Sequence, residues 1–115
     1  MRLVNHDNLV SIGALKEMAA GMFGDLVKAV VDLRREVMAV EAEMHSDEEA
    51  LLLQDGSDQA DLWGINLYHE AEGDDFVEFD SMINLRPSSG NRSRGVESAS
   101  IRERIREVVA GLVSR

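Results

Sequence analysis

Apolar residues recur at three- and four-residue spacing near both ends of the chain and alternate with polar residues through much of its middle. Leu9, Ile12, Leu15, Met18, Ala19 and Met22 predict a helix over residues 8–24. Ser11 or Asn8 can cap its start, and Gly21 and Gly24 mark its end. At the other end, Ile101, Ile105, Val108 and Leu112 form the buried stripe of a helix over 100–113, with Ser100 and Glu103 as a capping box. Between them, Ser46 and Glu49 form a second capping box and predict a short helix to Gln54, with Asp47, Glu48 and Glu49 at the positive end of its dipole.

The remaining apolar residues read as strands. Residues 25–45 fit two periods. Leu26, Val30, Leu33, Val37, Val40 and Met44 follow helical spacing, yet Val27, Ala29 and Val31 also oppose Lys28 and Asp32 in alternation. Five valines between 27 and 40 favour a hairpin, because a branched Cβ is stiff in a helix and packs well on a pleated sheet. Asp32-Leu33-Arg34-Arg35 is then a turn without glycine, and the second strand runs on to His45. A second hairpin pairs 62–69 with 76–85. Trp63, Ile65 and Leu67 face one way and Asn66 and Tyr68 the other; Val77, Phe79, Ser81, Ile83 and Leu85 oppose Glu78, Asp80, Met82 and Asn84. Trp63, Phe76 and Phe79 read as core, as do Met18, Met22, Met38 and Met44, and Tyr68 as surface. His6 and His69 read as surface residues.

The expected fold is a single α+β domain over 1–115, with an antiparallel sheet of two β-hairpins, helices packed on one face, and the order α-ββ-α-ββ-α. The other face is expected to be wet, carrying Lys28, Asp32, Glu41, Glu43, His45, Asn66, Tyr68, Glu78, Asp80, Asn84 and Arg86.

Charge sharpens this picture. The net charge is -10, but it is split. Residues 1–80 hold five Lys and Arg against nineteen Asp and Glu, and residues 81–115 hold seven against three. No Lys or Arg occurs between Glu36 and Leu85; then Arg86, Arg92 and Arg94 arrive together. So acidic a chain lacks the basic footprint of a general nucleic-acid binder. It has no cysteine, which excludes disulfides, Cys-based zinc sites and a cysteine nucleophile. Met1 to Asp7 lack an apolar run, and no segment is long and apolar enough for a membrane span, so neither a signal peptide nor a membrane role is expected, and the expected location is cytoplasmic.

Several runs carry a resemblance. Val27-Lys28-Ala29-Val30-Val31-Asp32, Glu43-Met44-His45-Ser46-Asp47-Glu48-Glu49, Leu62-Trp63-Gly64-Ile65-Asn66-Leu67-Tyr68 and Phe79-Asp80-Ser81-Met82-Ile83-Asn84-Leu85-Arg86-Pro87, followed by Gly90-Asn91-Arg92-Ser93-Arg94, resemble a family of short bacterial and archaeal proteins catalogued as a domain of unknown function. The resemblance covers residues 20–113. It implies the hairpin reading of 25–45 and carries over no activity and no catalytic residues.

Two constellations can carry chemistry. On a strand, Glu41, Glu43 and His45 line one face, and Glu43, His45 and Asp80 offer the carboxylates and imidazole that hold Zn²⁺ or Mn²⁺, or with carboxylates alone Mg²⁺ or Ca²⁺. In the loop, Arg86, Asn91, Arg92 and Arg94, with Asn84 before them, offer the forked guanidinium groups and amide donors that bind an anion. The competing reading is that these arginines only pair with the fourteen acids between 41 and 80. That reading places Arg86 and Arg92 against carboxylates. The expected function is a binding or regulatory domain, with a homodimer as the expected assembly, that holds a small anionic ligand or a protein partner on its polar sheet face and loop. The alternative is a metal-assisted hydrolase using Glu43, His45 and Asp80.

Overall fold

The computed structural model describes residues 1–115 and contains three helices and a five-stranded antiparallel sheet. The strands are β1 (Arg2–Val4), β3 (Leu26–Asp32), β4 (Val37–Val40), β5 (Leu62–Tyr68) and β6 (Val77–Glu78), in the order β1-β4-β3-β5-β6. The helices are α1 (Ile12–Ala20), α2 (His45–Gln54) and α3 (Ala99–Leu112). A short parallel pair, β2 (Val10–Ser11) with β7 (Val113–Ser114), ties the two ends of the chain together. The α+β class and the antiparallel sheet are as expected, and β1 adds an edge strand that no pattern in the sequence announced.

The hairpin over 25–45 forms. Its turn does without glycine because Asp32, fully buried, accepts hydrogen bonds from the backbone N–H groups of Arg34 and Arg35, each at 2.9 Å, and from Ser57 Oγ at 2.6 Å. The second strand is shorter than the alternation suggests. It ends at Val40, Glu41 turns away with φ 70, and His45 begins α2. Glu41, Glu43 and His45 therefore do not share a strand face.

Strand parity sorts the core. Val27, Ala29 and Val31 of β3, with Trp63, Ile65 and Leu67 of β5, bury against Leu15 and Ala19 of α1 and Ile105, Val108 and Leu112 of α3. On the opposite face, Val30, Ala39 and Leu62 pack against Leu52 of α2, with Leu3, Val37, Leu51 and Ile83 at the margin. The helices thus lie on both faces, which corrects the expectation of one covered and one wet face. The physical reason is visible in β3, where four consecutive residues, Ala29 to Asp32, are buried, as a strand covered on both sides requires.

The expected strand over 76–85 is the main departure. Only Val77–Glu78 pairs with β5; a 3-10 turn at Gly73–Phe76 precedes it and another at Met82–Asn84 follows. The alternation is real, but tertiary partners capture the backbone. Asn84, fully buried, accepts from Gly64 N–H at 2.8 Å and donates to Gly64 C=O at 2.9 Å, imitating a strand with its side chain. Gly64 allows this approach, because a Cβ there would stand 2.5 Å from Ser81 Cβ.

Several smaller expectations also shift. Ser11 caps α1 through Ala14 N–H, but Ser98 rather than Ser100 caps α3, and α2 starts without any side-chain cap, Met44 standing where Ser46 was expected. Trp63 and Phe76 are buried, whereas Met22 and Met44 are exposed rather than core. His69 is buried and reaches Gly24 O at 3.2 Å, so it is not a surface residue. No helix is long and apolar enough to cross a membrane.

Candidate functional site

The uncapped start of α2 borders a pocket on the α2 side of the sheet. Lys28 of β3, Asn66 of β5, Met44, His45 and Ser46, Asp80 to Ile83, and Arg94 line this pocket of about 250 Å³. Lys28 and Asn66 are cross-strand partners in the β3–β5 ladder, so the pairing register itself places them side by side. The 80–83 segment is folded over the sheet by the Asn84–Gly64 bonds.

The polar groups of this pocket fall into donors and acceptors. Lys28 forms no hydrogen bond and no ion pair; its ammonium lies 5.0 Å from the centre of the Phe23 ring. Arg94 commits only Nε, donating to Asp80 Oδ1 at 2.8 Å, which leaves its two terminal nitrogens free. At the start of α2, the N–H groups of His45 and Ser46 have no backbone acceptor, since Asp47 N–H is the first to find one, Met44 O at 3.2 Å. Among the acceptors, Asn66 donates from Nδ2 to Glu78 Oε1 at 2.8 Å, while its Oδ1 is buried with no partner. A buried acceptor left unpaired carries a desolvation cost of about 1–3 kcal/mol, so a ligand that supplies a donor regains it.

His45 is only 8% exposed. Its Nε2 lies 2.8 Å from Ile65 O, and because a carbonyl only accepts, Nε2 carries the proton. Nδ1 is thus the bare nitrogen. The Ile65 contact is the ring's one geometric hydrogen bond, and the Asn66 side chain lies against the ring. Burial holds the imidazole below its ordinary value; the Ile65 bond, the Asp80 charge and the neighbouring Asn66 side chain oppose this, and the Lys28 charge adds to it. At neutral pH the ring is an uncharged nucleophile or base in a fixed tautomer.

Behind the pocket, Glu48 is fully buried on α2. Its Oε2 accepts from Ala42 N–H at 3.1 Å, and Oε1 has no partner. Burial pushes its carboxyl up to about 9, against the pull of that hydrogen bond and of Lys28. Glu48 is therefore neutral at pH 7 and pins the bend between β4 and α2.

The residues expected from sequence separate into two groups. His45, Asp80 and Arg94 come together here. Glu43 is exposed and stands outside the pocket, and no group of three His, Asp or Glu side chains gathers anywhere as a metal site, so the trio Glu43, His45 and Asp80 is not assembled. Asn84 and Asn91 are buried staples rather than anion donors. Asn91 donates to Asn84 O at 2.7 Å and Gly95 O at 2.9 Å, and accepts from Glu97 N–H at 3.0 Å. Arg86 lies 4.4 Å from the Trp63 ring centre and donates to Gln59 O and Leu62 O, so it meets carbonyls and an aromatic face, not a carboxylate. Arg92 is exposed; its backbone N–H, not its guanidinium, bonds to Glu97. Of the three loop arginines only Arg94 pairs with the acidic half. Sequence reasoning placed Lys28 and Asn66 on the polar sheet face and Ser46 in a helix cap, but named none of them as a site residue. For Lys28 a signal existed, since it is the only cation at a polar-face position within the predicted strands.

The largest concavity, about 790 Å³, runs along α3 between Phe76, Val77 and Val109. Its lining is about half apolar, and its two arginines, Arg106 and Arg115, stand among four acids, Glu72, Asp74, Glu103 and Glu107. The smaller pocket holds one acid, Asp80, against Lys28 and Arg94.

No curated protein and no solved structure matches the chain. Residues 4–112 match the model of a family described as a protein of unknown function, DUF5674, and the chain belongs to that family.

Proposed function

We propose that this protein binds a small anionic ligand in the pocket at the start of α2. The observation that carries this reading is Lys28. In a chain with ten excess negative charges, it stands in a concave site without an ion-pair partner. The free terminal nitrogens of Arg94 and the uncapped N–H groups of α2 add donors on the same site. Asp80 tempers the positive field, and its pairing with Arg94 Nε holds the guanidinium in place. The unpaired Asn66 Oδ1 favours an anion that also carries a hydrogen-bond donor, such as a monoprotonated phosphate or a hydroxy acid. A site of about 250 Å³ suits a metabolite-sized molecule rather than a peptide.

The test is a titration with inorganic phosphate and, separately, with a small hydroxy acid, followed by amide and side-chain NMR. The expected result is saturable shifts confined to Lys28, His45, Ser46, Asn66 and Arg94. Lys28→Gln weakens binding about 10-fold, the effect of losing one charge-assisted hydrogen bond, while Arg92→Gln leaves it unchanged. Absence of saturable binding of either anion at millimolar concentration overturns the reading.

A further inference from the structure

We infer that the anion this pocket receives is a phosphoryl group and that His45 accepts it covalently at Nδ1, making the protein a phosphoryl carrier. The inference rests on the anion-binding reading above and adds the nucleophile.

Three observations meet at one nitrogen. The first is the fixed tautomer, in which Ile65 O holds Nε2–H at 2.8 Å and leaves the Nδ1 lone pair open. His69 makes a similar bond to Gly24 O, yet it does not line this pocket. The second is position. His45 is the first residue of a ten-residue helix with no side-chain cap, so a group attached at its ring stands at the positive end of that helix, beside backbone N–H groups that have no acceptor. The third is the surrounding charge. Lys28 and the free nitrogens of Arg94 supply cationic donors for phosphoryl oxygens, and Asp80 is ion-paired with Arg94 Nε at 2.8 Å.

The step balances without a metal, an oxidant or an external base. The donor is an acyl phosphate or a phosphoramidate. With an acyl phosphate, the Nδ1 lone pair attacks phosphorus, the N–P bond forms, and the bond from phosphorus to the acyl oxygen breaks. The carboxylate leaves with the electron pair. Nε2 keeps its proton, so the ring becomes cationic as the phosphoryl group arrives. Two carbonyl oxygens face that developing charge. Ile65 O accepts the Nε2–H bond, which strengthens as the ring turns positive, and the unpaired Asn66 Oδ1 lies beside the ring. Fixed dipoles aimed at charge that appears only during the reaction are the usual source of such rate enhancement. The depressed proton affinity of His45 keeps the lone pair available through neutral pH; the charged groups facing it are Lys28, which lowers that affinity, and Asp80, which raises it.

The experiment incubates the full chain with acetyl phosphate and with phosphoramidate, and reads the product by intact mass and phosphorus NMR. The expected product gains one phosphoryl group that is stable in base, lost in acid and located on His45. His45→Gln, which keeps an amide N–H for Ile65 O but removes Nδ1, yields none. Should that variant fail to fold, Lys28→Gln provides the second arm and slows adduct formation about 10-fold or more. Binding of inorganic phosphate is measured on the same preparation. Phosphate binding without an adduct from either donor overturns the carrier role and leaves the anion site standing. Neither binding nor adduct overturns both. An adduct on His6 or His69, or one that survives in His45→Gln, overturns the assignment to His45.

Discussion

The two faces of the sheet bury different chemistry. Against α1 and α3 the sheet presents Val27, Ala29, Val31, Ile65 and Leu67, part of a cluster of twenty buried apolar residues. Against α2 the apolar patch is small, Val30, Ala39, Leu52 and Leu62, and around it lie Asp32, Glu48, Asn66, Asn84 and His45, all nine-tenths buried or more. The first face follows from water exclusion alone and needs only volume and pattern. The second must give every polar group a partner. It succeeds with Asp32 and Asn84, and leaves single atoms of Glu48 and Asn66 unpaired. Buried atoms of Glu49, Arg86 and Arg106 also lack a hydrogen-bond partner, and of the five residues concerned Asn66 is the one that lines the pocket.

Substitutions that treat the two faces differently test this contrast. The largest effect is expected on the apolar face. Leu67→Ala, at a fully buried position, lowers unfolding free energy by about 2–5 kcal/mol, read by urea denaturation, without altering anion binding in whatever fraction stays folded. On the polar face, Glu48→Gln is expected to stabilise. Between 4.5 and about 9 the folded chain keeps a proton that the unfolded chain has released, so stability falls as pH rises through that window. At pH 7 the resulting cost is about 3 kcal/mol at most, and the variant recovers part of it. Denaturation of both proteins across the window should show their difference closing as pH approaches 4.5. A variant less stable than the native chain at pH 8 would show that Glu48 is ionised and paired instead.

Gly64→Ala comes next, with an expected loss of about 1–3 kcal/mol, because its Cβ would meet Ser81 Cβ and Oγ at 2.5 Å and Ile83 at 3.0 Å. Since Ser81 and Ile83 also line the pocket, this variant should weaken phosphate binding as well as stability. The smallest stability effect belongs to Lys28→Gln, within about 0.5 kcal/mol of the native chain, as for a partly exposed residue without a partner. Its effect on phosphate affinity is the large one. A residue whose removal hardly touches the fold but abolishes much of the binding separates site from scaffold.

His45 gives the comparison a pH signature of opposite sign. Its folded value lies below 6.5, so the unfolded chain takes up a proton first as pH falls, and stability is lost on the acid side of that value. His45→Gln should flatten that limb while Glu48→Gln flattens the alkaline one, both measured in the same denaturation series.

What the sequence alone determined is the set of features that depend on local pattern. Alternation about Lys28 and Asp32 gave the first hairpin, the Trp63–Leu67 alternation gave β5, and the Ile105–Leu112 stripe gave α3, because side-chain period and burial are linked by strand and helix geometry. His45, Asp80 and Arg94 were among the site candidates read from the sequence, and the fold brings these three to one pocket. Tertiary structure decided the rest. It broke the 76–85 alternation into turns, because Asn84 finds a better partner in the Gly64 backbone than a strand would offer. It set α2 on the opposite face, dispersed the metal trio, and turned Asn84, Asn91 and Arg86 inward. It also placed Lys28 and Asn66 at the mouth of α2, through a pairing register between residues 38 positions apart. No local period encodes such a meeting, because its energy comes from side chains that are near only once the chain has folded.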